Sequence, residues 1–202
     1  HDLLPVVKQI LSMKENESAS KKENREKERV LIPCLFLQLQ KESNILNVLI
    51  NLSDNKIITN LEHAVGLQLP TNIQLPESQL RILKPALSLK KFTPAELFNK
   101  SKLQFSEVYE VIKNLTEKGL FVKEGNFFTL NKQLQIFSDL EKYTCSVKPD
   151  YTKIKYDRKL EVKYRKEDIV KLFSQFFQII SSKECYLEYF RISYKESGGD
   201  SK

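Results

Sequence analysis

The 202-residue sequence predicts an α+β chain in three parts, and three observations carry that reading. Three runs rich in Val, Ile, Leu and Phe follow one another between residues 30 and 60, separated by short polar turns. A capped helix, a second helix stopped by glycine and a tight hairpin stand between 93 and 130. A Phe-rich helical stripe followed by a Tyr-rich strand closes the chain. The expected organisation is a helix and charged linker over 1–29, a small antiparallel β module over 30–76, a central helix–hairpin unit over 77–135 and a C-terminal α/β segment over 136–202.

Taken in order, Asp2 offers an N-cap for a first helix in which Leu3, Val6, Val7, Ile10 and Leu11 recur at helical spacing, with Pro5 in the tolerant first turn. Residues 14–29 hold no apolar side chain larger than alanine and read as a solvated linker or exposed helix extension. The runs "VLIPCLFLQLQ", "ILNVLINL" and "KIIT" then form a meander, with Pro33 expected near the start or edge of its strand, where a missing N–H costs least. Leu61 to Pro76, with Gly66 and Pro70, reads as a connection.

From Glu77 the spacing of Leu80, Leu83 and Leu87 is helical, with Pro85 marking a kink or a short helix. "TPAE", Thr93 to Glu96, combines an N-cap threonine, proline at the first helical position and glutamate at the third, the surest helix start in the chain. "SKLQF" makes a turn into a helix whose Val108, Val111, Ile112 and Leu115 share a face, and Gly119 ends it. "LFVKEGNFFTL" gives two short strands around Glu124-Gly125-Asn126. Beyond it come a helix over 131–143, a strand "KLEVKYR", a helix from Lys166 to Ile180 and a last strand "CYLEYFRISY" before a frayed tail "KESGGDSK". Leu31–Ser43 and Tyr186–Ser197 echo each other, which fits a shared strand type or a shared sheet.

This order of capped helix, turn, helix ending in "LTEKGL" and hairpin resembles the winged helix-turn-helix family, on Thr93 to Leu97, Leu103, Val108, Ile112, Leu115, Gly119, Leu120, Val122 and Phe127 to Leu130. The resemblance covers about 77–135 and implies a central winged helix. In that family's usual docking the third helix enters the major groove and the wing approaches a phosphate or the minor groove. It would present Gln104, Ser106, Tyr109, Lys113, Asn114 and Lys118, with Lys123 and Asn126 in the wing and Lys90, Lys91, Lys100 and Lys102 bracketing the capped helix. This sequence departs from a base-reading pattern: the third helix and wing carry no arginine for guanine, and Glu107, Glu110 and Glu117 would meet phosphates. Residues 77–135 nevertheless hold 10 basic and 6 acidic side chains, a balance suited to non-specific backbone contact or to an ordinary solvated face. More faintly, the strand-rich ends resemble accessory segments that follow the motor in archaeal ATPases of the HerA and FtsK type.

A net charge of +7 permits an anionic partner without demanding one. The 5 glycines, at 66, 119, 125, 198 and 199, spell no phosphate-cradling loop. His63 is the one internal imidazole and reads as a loop residue rather than a catalytic base. Cys34, Cys145 and Cys185 lie far apart in sequence, in neither a zinc nor a disulfide pattern, and read as reduced, packed thiols. No metal, cofactor or catalytic residue is expected. Lys148–Lys166 interleaves 8 basic residues with Tyr151, Tyr156 and Tyr164, as single-strand binders do, but Asp150, Asp157 and Glu161 interrupt it, which favours an ordinary strand pair. The Phe-rich "DIVKLFSQFFQII" reads as the segment's own core, with an oligomer interface as the alternative. No apolar run reaches a membrane span and no signal peptide can be read, so a cytoplasmic protein is expected. The opening at His1 reads as an excised fragment or tag remnant.

Together these readings predict a non-catalytic accessory region of a DNA-handling assembly, such as a motor ATPase, touching DNA backbone or a protein partner. A winged-helix transcription regulator and a purely structural adaptor are the alternatives.

Overall fold

The computed structural model describes residues 2–8, 25–71 and 73–194. Two antiparallel strands of 17 residues each, β2 (Arg25–Lys41) and β11 (Gln178–Tyr194), form its centre, paired from Gln178↔Gln40 to Tyr194↔Arg25 with one irregularity between Ile179 and Ser181. On the far side of β2 come β3 (Asn44–Asn51), β4 (Lys56–Asn60) and β5 (Val65–Gln68). Beyond β11 come β1 (Asp2–Val7) and β9 (Asp150–Ile154), while β10 (Arg158–Lys159) joins the remaining edge of β2. The two echoing segments are therefore neighbours in one sheet.

Pro33 lies in the middle of β2, not at its start. Its carbonyl accepts a hydrogen bond from the Leu52 N–H at 2.9 Å. Its missing donor falls where the neighbour changes from β3, which begins pairing at Cys34, to β10, which pairs with Val30 and Leu31. The ladder needs no N–H there.

Four further sequence expectations are corrected. Residues 2–7 form a strand, parallel to β11 and antiparallel to β9, rather than a helix. Val6 and Val7 are both fully buried, on opposite sheet faces, which a central strand achieves and a one-sided helix stripe does not. Ile10, Leu11, the linker up to residue 24 and the tail beyond 194 lie outside the described residues. The connection after Leu61 contains β5. Of "KLEVKYR" only Lys159, with the preceding Arg158, lies in a strand, because β3 already occupies β2 from Cys34 onward; Leu160, Lys163 and Tyr164 donate to the Leu31 and Leu52 carbonyls outside any ladder. The Phe-rich helix α5 ends at Ser174 after starting at Lys166, and Ile180 belongs to β11.

The central region folds as α1 (Glu77–Leu89), β6 (Lys91–Phe92), α2 (Pro94–Ser101), α3 (Phe105–Glu117), β7 (Phe121–Glu124) and β8 (Phe127–Leu130), with a three-stranded sheet in the order β6-β8-β7. α1 runs through Pro85 without ending. The capping box forms as the sequence requires: the Glu96 N–H donates to Thr93 Oγ1 at 3.3 Å and the Thr93 N–H donates to Glu96 Oε2 at 2.7 Å. Gly119, at φ +69°, takes the left-handed conformation that stops α3. α4 (Lys132–Ser138), capped by Asn131, leads into a 3₁₀ turn over Leu140–Tyr143.

One face of the large sheet, through Leu35, Leu37, Val48 and Ile50, shares a continuous core with Leu83, Phe92, Leu97, Ile112 and Phe121 of the central unit. α4 and α5 meet in the same core, with Phe137 edge-on to Phe173 at 5.3 Å and tilted against Phe176 at 4.8 Å. The Phe-rich stripe is thus internal packing. The opposite face, Ile32, Cys34, Phe36, Leu49, Cys185 and Leu187, is covered by the segment holding Cys145 and Val147 and by Leu61.

Candidate nucleic-acid interface

The central unit buries Leu97 of α2 and Val108, Val111, Ile112 and Leu115 of α3, so the residues between those positions face outward. The twelve polar and aromatic residues expected at an interface divide into three places. Lys100, Lys102, Gln104, Ser106, Tyr109, Lys113 and Asn114 cluster at the α2–α3 corner and along α3. Lys91, Lys123 and Asn126 belong to the small sheet and its hairpin. Lys90 and Lys118 stand apart from both groups.

Several of them already have intramolecular partners. Lys90 ends α1 at φ 63°, ψ −49°, and its Nζ lies 2.6 Å from Asp139 Oδ1. That hydrogen bond raises the Lys90 ammonium above its usual value and, reciprocally, holds the Asp139 carboxyl below its own. Lys118 donates to Gln79 Oε1 at 2.9 Å. Lys91 lies 3.5 Å from Glu124 and 5.0 Å from the centre of the Phe127 ring. Lys113 approaches Glu117 at 4.0 Å, and the Asn114 amide donates to the Glu110 carbonyl at 3.0 Å. Of the helix's glutamates, Glu107 is engaged at the N-cap, where its carboxylate accepts from the Gln104 N–H at 3.0 Å. Lys100, Lys102 and Lys123 make no ion pair within the described residues, so they are the cations available to an anionic partner.

The sequence did not single out Phe98 and Phe105 for this surface. Phe98 follows the buried Leu97, and Tyr109 follows the buried Val108, whereas Phe105, seven residues before the buried Ile112, lies on the margin of the buried stripe at the first position of α3. Spacing turns Phe98 and Tyr109 away from the core, while the exposure of Phe105 is a property of the fold. Lys102, at φ 56°, turns the chain between the two helices. Across that turn Phe98 meets Phe105 edge-on at 5.6 Å, and Phe105 meets Tyr109 at 5.7 Å, making a row of rings that are 38%, 50% and 57% exposed.

Other recesses are poorer candidates. A recess of about 610 Å³ between α1, α4 and the sheet is rimmed by Lys41, Lys84, Lys90 and Lys142, but all except Lys84 pair with Asp139 or Glu141. A recess of about 340 Å³ lies beside α5, where the Gln175 side chain clasps the preceding linker through Ile73 and Leu75. His63 lies exposed in the turn after β4, its N–H donating to Asn60 Oδ1. The basic stretch 148–166 supplies β9 and β10, which pair with β1 and β2 and not with each other, so it is not the strand pair the sequence suggested.

The three cysteines, distant in sequence, converge on one buried sheet face, where burial raises all three thiols; Cys185 is pushed up to about 12. They are protonated packing groups rather than nucleophiles. Among the described residues, no group of three or more His, Cys, Asp or Glu side chains is placed to hold a metal ion, and no helix is long and apolar enough to cross a membrane. No family model, curated protein or solved structure matches the chain.

Proposed function

We propose that the central unit is a winged helix and that the chain is a non-catalytic accessory region of a DNA-handling assembly, such as a motor ATPase, touching the DNA backbone through lysines. The observation that carries the reading is the α2–α3 corner, where Lys100 and Lys102 stand without ion pairs among the described residues, on a surface set by a capped helix and a left-handed turn. The element order supports it too: three helices, a short strand after the first and a terminal hairpin, in a sheet of order β6-β8-β7, are the parts a winged helix requires. Lysines with no arginine beside them favour phosphate contact over base reading, since an ammonium lacks the fork that grips a guanine edge.

The test is binding of the 202-residue chain to random and to selected duplexes over a range of salt. Backbone contact predicts a steep fall in affinity with salt and little preference among sequences. A large specificity ratio would instead favour a transcription regulator, and an absence of binding at low salt would remove DNA from the reading. Lys100→Glu with Lys102→Glu is expected to reduce the salt slope by about 2, one unit for each phosphate no longer neutralised, with the far-ultraviolet circular dichroism unchanged.

A further inference from the structure

We infer that the α2–α3 corner takes single-stranded nucleic acid in preference to duplex, its bases stacking on Phe98, Phe105 and Tyr109 while Lys100 and Lys102 follow the phosphates. The inference rests on the backbone-contact reading above and narrows it to one form of the polymer.

The rings make the argument. A helix that lies on duplex phosphates gains from polar and cationic side chains, because base faces are closed inside the stack. Three contiguous rings at that surface would then lose hydration without gaining a stacking partner. Unpaired bases reverse the balance, since every base has an apolar π-face that an aromatic side chain can cover whatever the sequence. Phe105, Tyr109 and Lys113 recur four apart along one face of α3, so the row runs into the Lys113–Glu117 pair at one end. At the other end, Lys100 and Lys102 flank the turn that holds Phe98 against Phe105.

Three glutamates of α3 oppose a phosphate, and Glu117 is held toward Lys113 at 4.0 Å. Glu107 is held on the Gln104 N–H, and Glu110 lies on the neighbouring stripe with Asn114. The 610 and 340 Å³ recesses are lined by other residues, so neither competes with the corner for the rings.

The experiment compares fluorescein-labelled oligothymidylate with a random duplex of equal length, titrated with the 202-residue chain at several salt concentrations. Wild type is expected to bind the single strand at least about tenfold more tightly. Phe105→Ala and Tyr109→Ala should each weaken that binding by about tenfold, since base–aromatic stacking contributes roughly 1–3 kcal/mol. Both should leave the salt slope and the duplex affinity nearly unchanged, whereas Lys100→Glu with Lys102→Glu should lower the slope. Tyr109→Phe, which keeps the ring, should bind like wild type, and thermal melting checks that each variant folds. Equal affinity for the two polymers, or single-strand binding indifferent to removal of the rings, overturns the inference while leaving lysine contact with duplex standing. The second outcome would show that the rings take no part in holding nucleic acid. Binding to neither polymer at low salt overturns both this inference and the function from which it starts.

Discussion

Lys102 combines two properties at one position: it carries a cation to the α2–α3 corner and it holds φ 56°, ψ 23°. A residue with a Cβ gives up roughly 1 kcal/mol in that left-handed conformation, and glycine gives up little. Lys102→Gly is therefore expected to leave the melting temperature unchanged or slightly raised while removing one cation from the phosphate path. The salt slope of nucleic-acid binding should fall by about 1. A variant that melts well below wild type would show that the lysine stem packs more than its exposure indicates. Thr93 acts through the backbone instead. Replacing it with alanine deletes the acceptor for the Glu96 N–H and leaves the glutamate with half of a capping box, at an expected cost of about 1 kcal/mol in urea unfolding.

At the scale of elements, short-range chemistry was legible and long-range competition was not. "TPAE" states its helix within four residues, and Gly119 and Gly125 state their turns, because the capping bonds and the left-handed φ values at +69° and +65° are local requirements. Residues 2–7 read as a helix start because consecutive apolar residues mean the same thing, over so short a span, for a helix stripe and for a strand buried on both faces. β9 and β11, both far along the chain, decide between them. "KLEVKYR" alternates like a strand, yet its pairing depends on how much of β2 remains open after β3 has docked, which alternation does not encode. Tyr109 falls clear of the buried stripe by spacing, but Phe105 shares the helical phase of the buried Ile112, so the ring row at the corner depends on how α2 and α3 meet across Lys102. Gly66 is a sequence signal whose meaning depends on the same kind of partner. A Cβ there would collide with the Ile57 carbonyl oxygen, so the edge strand β5 reaches β4 only through a glycine. Gly66→Ala is expected to cost about 1–3 kcal/mol and to speed amide exchange at Val65–Gln68. Unchanged exchange there would show that β4 shifts to admit the methyl group.

Across the whole molecule, the sheet ties the two ends of the described chain together, and the cysteines report on that tie. Cys34 on β2 stands opposite Cys185 on β11, and Cys145 comes from the segment that covers them, so all three thiols are buried only while both long strands and their cover are in place. Labelling by a thiol reagent should then require the sheet to open, giving similar rates at Cys34 and Cys185 that rise together with denaturant. The pH dependence follows from the same burial. Folding raises the Cys185 thiol from about 9 to about 12 and raises the other two in the same direction, so in mildly alkaline solution the unfolded chain releases protons that the folded chain retains. Below the unfolded value neither state releases them and this part of the stability is fully present. As pH rises past about 9 the unfolded state becomes favoured, and each thiol contributes a decline of up to about 1.4 kcal/mol per pH unit until the folded thiol itself ionises. Cys34→Ala with Cys185→Ala should lower stability at neutral pH by leaving small voids, yet flatten the decline of stability between about pH 9 and 10 in urea titrations. An equal slope in the variant and the wild type would mean that the thiols are not held protonated by the sheet, and would place the alkaline sensitivity in the chain's many lysines and tyrosines instead.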